Sequence, residues 1–244
     1  MSGSLLQGRR VVITAAAGTG IGFATAKRCL EEGATVVISD RHERRLSEAA
    51  ERLGAGAQAV VCDVTVEAQV AAMLDGAGEF DVLVCNAGLG GTVDLVDMAD
   101  EQWDRILDVT LTGTMRCIRG ALRRLRDAGR SGVIVTNASV LGWRAQAGQG
   151  AYAAAKAGVM ALTRAAAMEG APHGIRVNGV APSLAMHAHL EKSAPAGLLE
   201  ELAGREAFGR AATPEEIANV ILFLASDLSS YMTGEIVSVS SQHA

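Results

Sequence analysis

A serine, a tyrosine and a lysine in the second half of the sequence have the types and spacing of a proton-transfer site. Tyr152 and Lys156 are four residues apart in "AYAAAKAGV", so on a helix their side chains lie on one face, one turn apart. An ammonium group beside a phenol lowers the pKa of the phenol, which is ordinarily about 10. Ser139 could then hold a substrate oxygen while Tyr152 exchanges a proton with it. A tyrosine and a lysine at this spacing also occur on helices without any chemical role. The surrounding residues in the fold must therefore show whether this pair forms a site.

Three glycines near the amino terminus could form a nucleotide site. Gly18, Gly20 and Gly22 lie in "TAAAGTGIG", between an apolar run and a helix-like stretch. Backbone N–H groups and the dipole at a helix start favour a pyrophosphate there, and missing side chains allow its close approach. A glycine-rich loop alone could be a flexible corner. Its place after the first strand of an alternating series favours the nucleotide site.

Two aspartates that end apolar runs could bind the adenosine of such a nucleotide. Asp40 lies 18 residues after Gly22, where a carboxylate can accept both ribose hydroxyls. It would repel a 2′-phosphate, so we expect NAD(H) to be favoured over NADP(H). Arg41 opposes this, because its guanidinium could bind that phosphate, unless it lies over the adenine face. Asp63 could face the adenine, or serve as N-cap of a helix starting near Val66.

The elements that must position these residues alternate along the chain. Apolar runs predict seven strands, at residues 9–14, 34–39, 57–63, 80–86, 132–137, 175–180 and 235–240. Helical patterns lie between them, at about 20–32, 43–53, 66–76, 101–127, 150–171 and 214–226. Uniformly apolar strands are typical of a parallel sheet covered on both faces. We therefore predict a doubly wound α/β sheet in a single domain over residues 1–244. Residues 183–210 lie outside the alternation and are expected to form a lid or binding segment.

Composition excludes several function classes. The net charge of −5 gives no electrostatic footprint for nucleic acid, and no segment reaches the roughly 18 apolar residues of a membrane helix. We therefore expect a cytoplasmic protein without a nucleic-acid or membrane partner. His187 and His189 have no third ligand nearby in sequence, so no metal site is predicted. The scattered cysteines are expected to be reduced core residues: Cys29, Cys62, Cys85 and Cys117.

Taken together, these motifs resemble the short-chain dehydrogenase/reductase family over essentially the whole chain. The family's T-G-x-x-x-G-x-G loop corresponds to residues 15–22, its N-N-A-G segment to "CNAG" at 85–88, and its Ser and Y-x-x-x-K to the three residues named first. The 3-oxoacyl-[acyl-carrier-protein] reductases of the family are similar. Members from actinobacterial sterol-ring catabolism are similar in "TAAAGTGIG", "VTLTG" and "VSVSSQ".

The resemblance implies a Rossmann-type sheet of seven strands, usually in a homotetramer, and hydride transfer between a nicotinamide and a carbonyl or secondary alcohol. It implies that Tyr152 is the general acid/base, Ser139 orients the substrate oxygen, and Lys156 binds the nicotinamide ribose and lowers the pKa of Tyr152. Thr110 would hold a relay water through its main-chain carbonyl. The implied cofactor contacts are Ala16, Gly18, Thr19, Gly20, Ile21, Gly22, Asp40, Arg41, Asp63, Val64, Asn86, Ala87, Gly88, Tyr152, Lys156, Pro182, Ser183 and Ala185.

The sequence also departs from the family pattern. Ala15 and Ala16 replace the leading Thr and Gly of the loop, which is acceptable if the glycine position needs no positive φ. Thr110 replaces a common Asn, although a backbone role can survive that change. The other departures are Cys85 for the first Asn of N-N-A-G, Ser183 for a usual Gly, His187 for a common Thr, and a tail "VSVSSQHA" without V-D-G-G.

The sequence says less about the substrate. Pocket residues should come from 89–92, 140–146 and the segment after 183, a mostly small and apolar lining with Trp143 as its aromatic residue. This favours an apolar ketone or alcohol, and the family resemblance implies a 3-oxoacyl thioester. The similarity to members from sterol-ring catabolism implies a cyclic hydroxyacyl-CoA as the rival substrate. A nucleotide-binding protein without turnover is the alternative. Four arginines at helical spacing could bind phosphates of a thioester carrier or simply stabilise a helix end: Arg116, Arg119, Arg123 and Arg126.

Overall fold

Seven parallel strands form one sheet within residues 4–186 and 197–241, which are the residues that the computed structural model describes. The strands are β1 Arg10–Thr14, β2 Thr35–Asp40, β3 Ala57–Val61, β4 Val82–Cys85, β5 Gly132–Asn137, β6 Ile175–Pro182 and β7 Ile236–Val239. The α-helices are α1 Ile21–Glu31, α2 Glu43–Leu53, α3 Glu67–Gly76, α4 Asp100–Leu107, α5 Gly113–Asp127, α6 Gly150–Gly170, α7 Leu198–Gly204 and α8 Pro214–Ala225.

The strand order confirms the predicted doubly wound sheet. It is β3-β2-β1-β4-β5-β6-β7, and every neighbouring pair is parallel. The chain reverses its direction across the sheet between β1 and β4. Ligands of such sheets bind outside the carboxyl ends of the strands at this switch point.

Alternating side chains of the central strands enter two separate cores. Val11 and Ile13 pack into one core with Ile217 of α8, whereas Val12 lies in the other with Leu83. Fully burying such a side chain contributes about 1.5–3 kcal/mol. The edge strands β3 and β7 are largely exposed or half-buried, because each has a neighbouring strand on one side only. The predicted burial on both faces therefore holds for the centre of the sheet.

The predicted continuous helix over 101–127 is wrong. The structure interrupts it with a π-helical turn, Asp108–Thr112, between α4 and α5. The side chain of Thr110 bonds to the backbone of Leu89 instead of facing solvent. Gly113 packs against Val64 so closely that a Cβ there would lie 2.7 Å from its Cγ2 atom. Both contacts are tertiary, and π turns of this kind are frequent at functional sites.

The described parts of the predicted lid are joined to the rest of the fold at their base. Ala185 and Ala212 form an isolated parallel bridge, and α7 lies between them in sequence. Residues 187–196, including His187 and His189, lie outside the described residues. The lid stays a prediction.

Candidate active site

The predicted proton-transfer residues meet at the carboxyl edge of the sheet. Ser139 follows β5, while Tyr152 and Lys156 lie in the first two turns of α6. The hydroxyl groups of Ser139 and Tyr152 are hydrogen-bonded to each other. The backbone N–H of Leu141 donates to Ser139 Oγ at 3.2 Å and fixes the serine side chain. Two hydroxyls are thus placed where a substrate oxygen could contact both.

Lys156 is buried beside this pair. It is 3% exposed, its Nζ donates to the Asn137 carbonyl at 2.5 Å, and it lies 5.5 Å from the centroid of the Tyr152 ring. Burial lowers the pKa of Lys156 to about 8. Asn137 is the one acceptor found for it among the described residues, although an ammonium group has three donors. The remaining donors suit the hydroxyls of a ribose.

The expectation that Lys156 lowers the pKa of Tyr152 is wrong for this arrangement. Burial raises the pKa of Tyr152, and the hydrogen bond with Ser139 lowers it by less. Lys156 points its charge at a carbonyl oxygen rather than at the phenol. Tyr152 is therefore held in its protonated form.

Thr110 lies against the same group of residues. It is fully buried, and its Oγ accepts from Leu89 N at 2.9 Å and donates to Leu89 O at 3.2 Å. Its own carbonyl accepts the Thr114 hydroxyl at 2.8 Å. A Cβ at Gly88 would lie 3.4 Å from Lys156 Nζ and 3.9 Å from Thr110 Cγ2, so these three residues are neighbours.

The glycine loop has the shape that a pyrophosphate requires. Gly20 is the N-cap of α1 and Gly18 has a φ of 125° with open space where a Cβ would be. A Cβ at Gly22 would lie 2.6 Å from both the Ala15 carbonyl oxygen and Asn86 Nδ2. The positive φ expected to matter at Ala16 is found one residue earlier, because Ala15 has a φ of 53°. The loop backbone at a helix start thus fits a dinucleotide.

Asn86 connects the glycine loop to the proton-transfer residues. Its Nδ2 donates to Thr14 O at 3.2 Å and to Ala15 O at 3.0 Å, and its Oδ1 accepts from Asn137 Nδ2 at 2.9 Å. Thr14 Oγ accepts the N–H groups of Asn86 and Ala87, at 2.9 Å and 3.1 Å. Thr14 and Asn137 were not predicted as site residues. Both are polar residues at the carboxyl end of an apolar strand, and that signal could have identified them.

The two aspartates brace turns at the adenosine end of the site. Asp40 Oδ1 accepts from His42 N at 3.0 Å. Asp63 Oδ1 accepts from Thr65 N at 2.9 Å and from Thr65 Oγ at 2.7 Å. The N-cap of α3 is Val66, with no side-chain cap, so the interpretation of Asp63 as the helix cap is wrong.

Arg41 lies on the Asp63 side of this region. Burial raises the pKa of Asp63, but the hydrogen bonds from Thr65 and the charges of Arg41 and Arg105 outweigh it, so the pKa is lowered. A cavity of about 420 Å³ opens here, lined by Arg41, Asp63, Thr65, Asp104, Arg105, Asp108 and Val109. The cavity lies beyond the carboxyl ends of β2 and β3, and this position suits an adenine.

The other predicted residues occupy varied surroundings. Pro182 ends β6, and Ser183 Oγ donates to Glu206 at 3.1 Å. Ile21 begins α1 after the exposed Thr19, and Trp143 is 49% exposed beyond Ser139.

Three of the four arginines on α5 form ion pairs with carboxylates, which favours their role as helix-surface residues: Arg116 with Asp108 at 2.8 Å, Arg119 with Glu67 at 2.6 Å, and Arg126 with Asp127 at 2.8 Å.

All four cysteines are free and buried, as predicted. In the part of the chain that the structure describes, no group of His, Cys, Asp or Glu could hold a metal ion. None of the described helices is long and apolar enough to cross a membrane.

Comparison with known proteins defines the class of this protein. The family model described as enoyl-(acyl carrier protein) reductase matches residues 15–241. The chain belongs to the short-chain dehydrogenase/reductase family, as its motifs predicted. It is therefore an oxidoreductase that acts between hydroxyl and keto groups with a nicotinamide cofactor.

Individual relatives are similar over nearly their whole length. The (5R,7aS)-5-hydroxy-7a-methyl-1-oxo-2,3,5,6,7,7a-hexahydro-1H-indene-carboxyl-CoA reductase of Mycobacterium tuberculosis is 61% identical, covering 98% of this chain and 94% of the relative. A cis-4-hydroxycyclohexanecarboxylate dehydrogenase of Sinomonas cyclohexanicum is 44% identical and covers 94% of each. The crystal structure of a short chain dehydrogenase from Mycobacterium smegmatis has 57% identity and a TM-score of 0.87, covering 99% of this chain and 95% of that one.

Proposed function

We propose that this protein reduces a ring ketone of a carbocyclic acyl-CoA thioester to a secondary alcohol, with NADH as cofactor. The observation that carries the reaction is the hydrogen-bonded pair of Ser139 and Tyr152 beside the buried ammonium of Lys156. The substrate class is supported by the names of two relatives, a bicyclic carboxyl-CoA reductase at 61% identity and a hydroxycyclohexanecarboxylate dehydrogenase at 44%.

The cofactor, when bound, supplies the hydride that goes to the carbonyl carbon. The loop N–H groups at the start of α1 bind the pyrophosphate, and Asp40 accepts from the adenosine ribose. Lys156 has donors left after its bond to Asn137, and these bind the nicotinamide ribose. Gly88, whose missing side chain leaves room beside Lys156, lets the ring approach.

The proton goes from Tyr152 to the carbonyl oxygen as that oxygen gains charge. Because burial raises the pKa of Tyr152, its phenol is protonated at neutral pH and acts as the general acid of a reduction. Ser139 donates a second hydrogen bond to the same oxygen and orients it. The Thr110 carbonyl would hold the water that returns a proton through Lys156, a role that the family resemblance implies. The reverse oxidation needs deprotonated Tyr152 and is favoured at higher pH.

The surroundings of Tyr152 suit an apolar ring. A Cβ at Gly90 would lie 3.8 Å from the Tyr152 ring, an ordinary van der Waals distance, so this backbone lies beside the ring. Leu95 packs close to Gly150, two residues before the tyrosine, and is 69% exposed. Trp143 is 49% exposed next to Ser139. Exposed apolar side chains around a polar centre are typical of a site for apolar ligands.

One feature supports NAD(H) over NADP(H): Asp40 ends β2 with a carboxylate that would repel a 2′-phosphate. Arg41, whose charge lowers the pKa of Asp63, is the residue that opposes this preference. We expect kcat/KM to favour NADH over NADPH by about tenfold or more, and Asp40→Ala to remove most of that preference. A wild-type preference for NADPH would show that Arg41 decides the cofactor.

The substrate proposal is tested by cofactor oxidation with matched ketones. We would compare a 4-oxocyclohexanecarboxyl-CoA and a bicyclic keto-acyl-CoA with acetoacetyl-CoA and with the free acids. We expect kcat/KM for the cyclic thioesters to exceed that for the linear thioester by at least about tenfold. A higher value for acetoacetyl-CoA would support a 3-oxoacyl thioester reductase. Dinucleotide binding without turnover of any ketone would support a non-catalytic nucleotide-binding protein.

We also infer a cytoplasmic homotetramer, which rests on the family resemblance. Sedimentation at several protein concentrations tests the assembly. A monomer or dimer at micromolar concentration would contradict it.

A further inference from the structure

Glu206 is a buried acid that the proposed reaction does not use. It is 4% exposed and lies between α7 and α8. Its Oε2 accepts from Ser183 Oγ at 3.1 Å and from Ser241 Oγ at 2.9 Å, and its Oε1 accepts from Leu184 N at 3.4 Å. A carboxylate loses its hydration on burial and is stable there only when its oxygens are hydrogen-bonded. These three donors show that Glu206 connects segments distant in the sequence.

The donors come from two distant segments, the chain after β6 and the carboxyl-terminal tail. Ser183 is 23 residues from Glu206 and Ser241 is 35 residues from it. One backbone hydrogen bond joins these two segments directly, from Ser183 N to Val239 O at 3.3 Å. Three more join them to the chain that follows Glu206: Ala207 N to Ser241 O at 3.0 Å, Ala212 N to Leu184 O at 2.8 Å, and Met186 N to Ala212 O at 2.9 Å. Glu206 is the side chain at the centre of this junction.

Both hydroxyls on Glu206 come from positions where this sequence departs from the family pattern. Ser183 stands where a glycine is usual, and Ser241 lies in the tail that replaces V-D-G-G. A glycine offers no side-chain donor at either place. The acid and the two serines therefore form a set, in which each serine supplies a bond that the usual residue could not.

We propose that Glu206 is a positioning residue that holds the chain after β6 against the carboxyl-terminal tail and so fixes one wall of the cofactor site. The inference rests on the proposed role of Pro182, Ser183 and Ala185 as cofactor contacts. Because the tail bonds to the same carboxylate, Ser241 contributes to cofactor binding without facing the cofactor.

Dinucleotide affinity of four variants tests this role. We would titrate NADH and NADPH by fluorescence with Glu206→Ala, Glu206→Gln, Ser183→Ala and Ser241→Ala, at a temperature where circular dichroism shows each to be folded. Glu206→Ala should raise Kd by about tenfold, and Glu206→Gln should recover part of this because its amide oxygen still accepts. Ser241→Ala should raise Kd by about threefold. Glu215→Gln, at an exposed position on α8, is the matched control and should change nothing.

Hydrogen exchange without cofactor gives a second readout. The amides of residues 183–186 should exchange faster in Ser241→Ala than in the wild type, and the effects of Ser183→Ala and Ser241→Ala should not add. If the variants fold and keep the wild-type Kd and the wild-type exchange rates, Glu206 only contributes to packing and the proposal is wrong. If Glu206→Ala does not fold, Ser241→Ala, which removes one hydroxyl, decides alone. A wild type that binds neither dinucleotide would instead overturn the proposed function, while the exchange experiment still tests the junction.

Discussion

Two halves of the site differ in the groups that form them: the nucleotide half, after β1 and β2, and the reaction half, after β5 and on α6. After β1 and β2, the site consists of backbone groups and partly exposed side chains, with Gly18 open and Asp40 bracing a turn. After β5 and on α6, it consists of the half-buried Tyr152 and the buried Lys156, whose pKa values burial has moved. The first half therefore tolerates new residue types wherever φ and space permit. In the second half, the loss of a single atom changes the chemistry.

The largest expected effect is that of Tyr152→Phe. It removes the exchangeable proton and leaves the ring, so kcat should fall by about 10²–10⁴ while the Kd of the dinucleotide stays within a few fold. Tyr231→Phe is the matched control, since Tyr231 is fully exposed on the surface. Steady-state kinetics and fluorescence titration measure the two quantities. If Tyr152→Phe keeps more than about a tenth of the wild-type kcat, Tyr152 is not the general acid.

The buried charge of Lys156 should make stability depend on pH. Its pKa is about 8 in the folded protein and 10.5 ordinarily. Between these values the unfolded chain binds more protons at this lysine, so the contribution of Lys156 to stability rises with pH, by about 3 kcal/mol over the whole interval. The buried thiols oppose this rise from their ordinary pKa of 9.0 upward, because burial raises the pKa of Cys29 and Cys62, and Tyr152 opposes it above 10.0. Lys156→Met should remove the contribution of the lysine and leave that of the other groups.

Urea unfolding from pH 7.5 to pH 10 measures this difference between wild type and Lys156→Met. If the unfolding free energies of the two proteins change with pH in the same way, Lys156 is hydrated in the folded protein and its pKa is not lowered.

The substitutions Gly22→Ala and Gly76→Ala compare a tightly packed glycine in the nucleotide half with a glycine that has open space around it. The new Cβ would lie 2.6 Å from Ala15 O and Asn86 Nδ2, so we expect a loss of about 1–3 kcal/mol in unfolding free energy and weaker dinucleotide binding. Gly76→Ala, at the end of α3 with nothing within 4 Å, is the control and should be neutral or slightly stabilising. Equal effects of both substitutions would argue against the close contact.

The smallest effects distinguish two adjacent alanines. Ala15 has a φ of 53°, so Ala15→Gly should relieve strain and change stability by no more than about 1 kcal/mol, in the favourable direction. Ala16 is 1% exposed with ordinary φ, so Ala16→Gly should destabilise by about 1 kcal/mol. Thermal unfolding of the two variants gives the signs. The same sign for both would contradict the assignment of strain to Ala15.

Regular elements could be predicted from the sequence because their signals are local. The helix at 43–53 was predicted to the residue, and all seven strands were found with errors of one or two residues at their ends. The glycine loop and the tyrosine–lysine pair have fixed spacing and were equally visible. In each case neighbouring residues carry the information, as apolar periodicity or as a short motif.

The rest depended on contacts between residues distant in sequence. The break in the helix at 108–112 follows from the bond of Thr110 to Leu89, 21 residues away. The raised pKa of Tyr152 follows from burial, which no spacing reveals. The role of Glu206 could not be predicted from the sequence, because its partners Ser183 and Ser241 lie in other segments. Such properties belong to the assembled fold.

Three side-chain hydrogen bonds connect the two halves. Lys156 donates to the backbone carbonyl of Asn137, the Asn137 side chain donates to Asn86, and Asn86 donates to the carbonyl of Ala15. The field of a charge is stronger inside a protein than in water, and it acts on the polar groups near it. A proton gained or lost at Lys156 therefore changes the electrostatic potential along this path toward the glycine loop, without any movement of the chain.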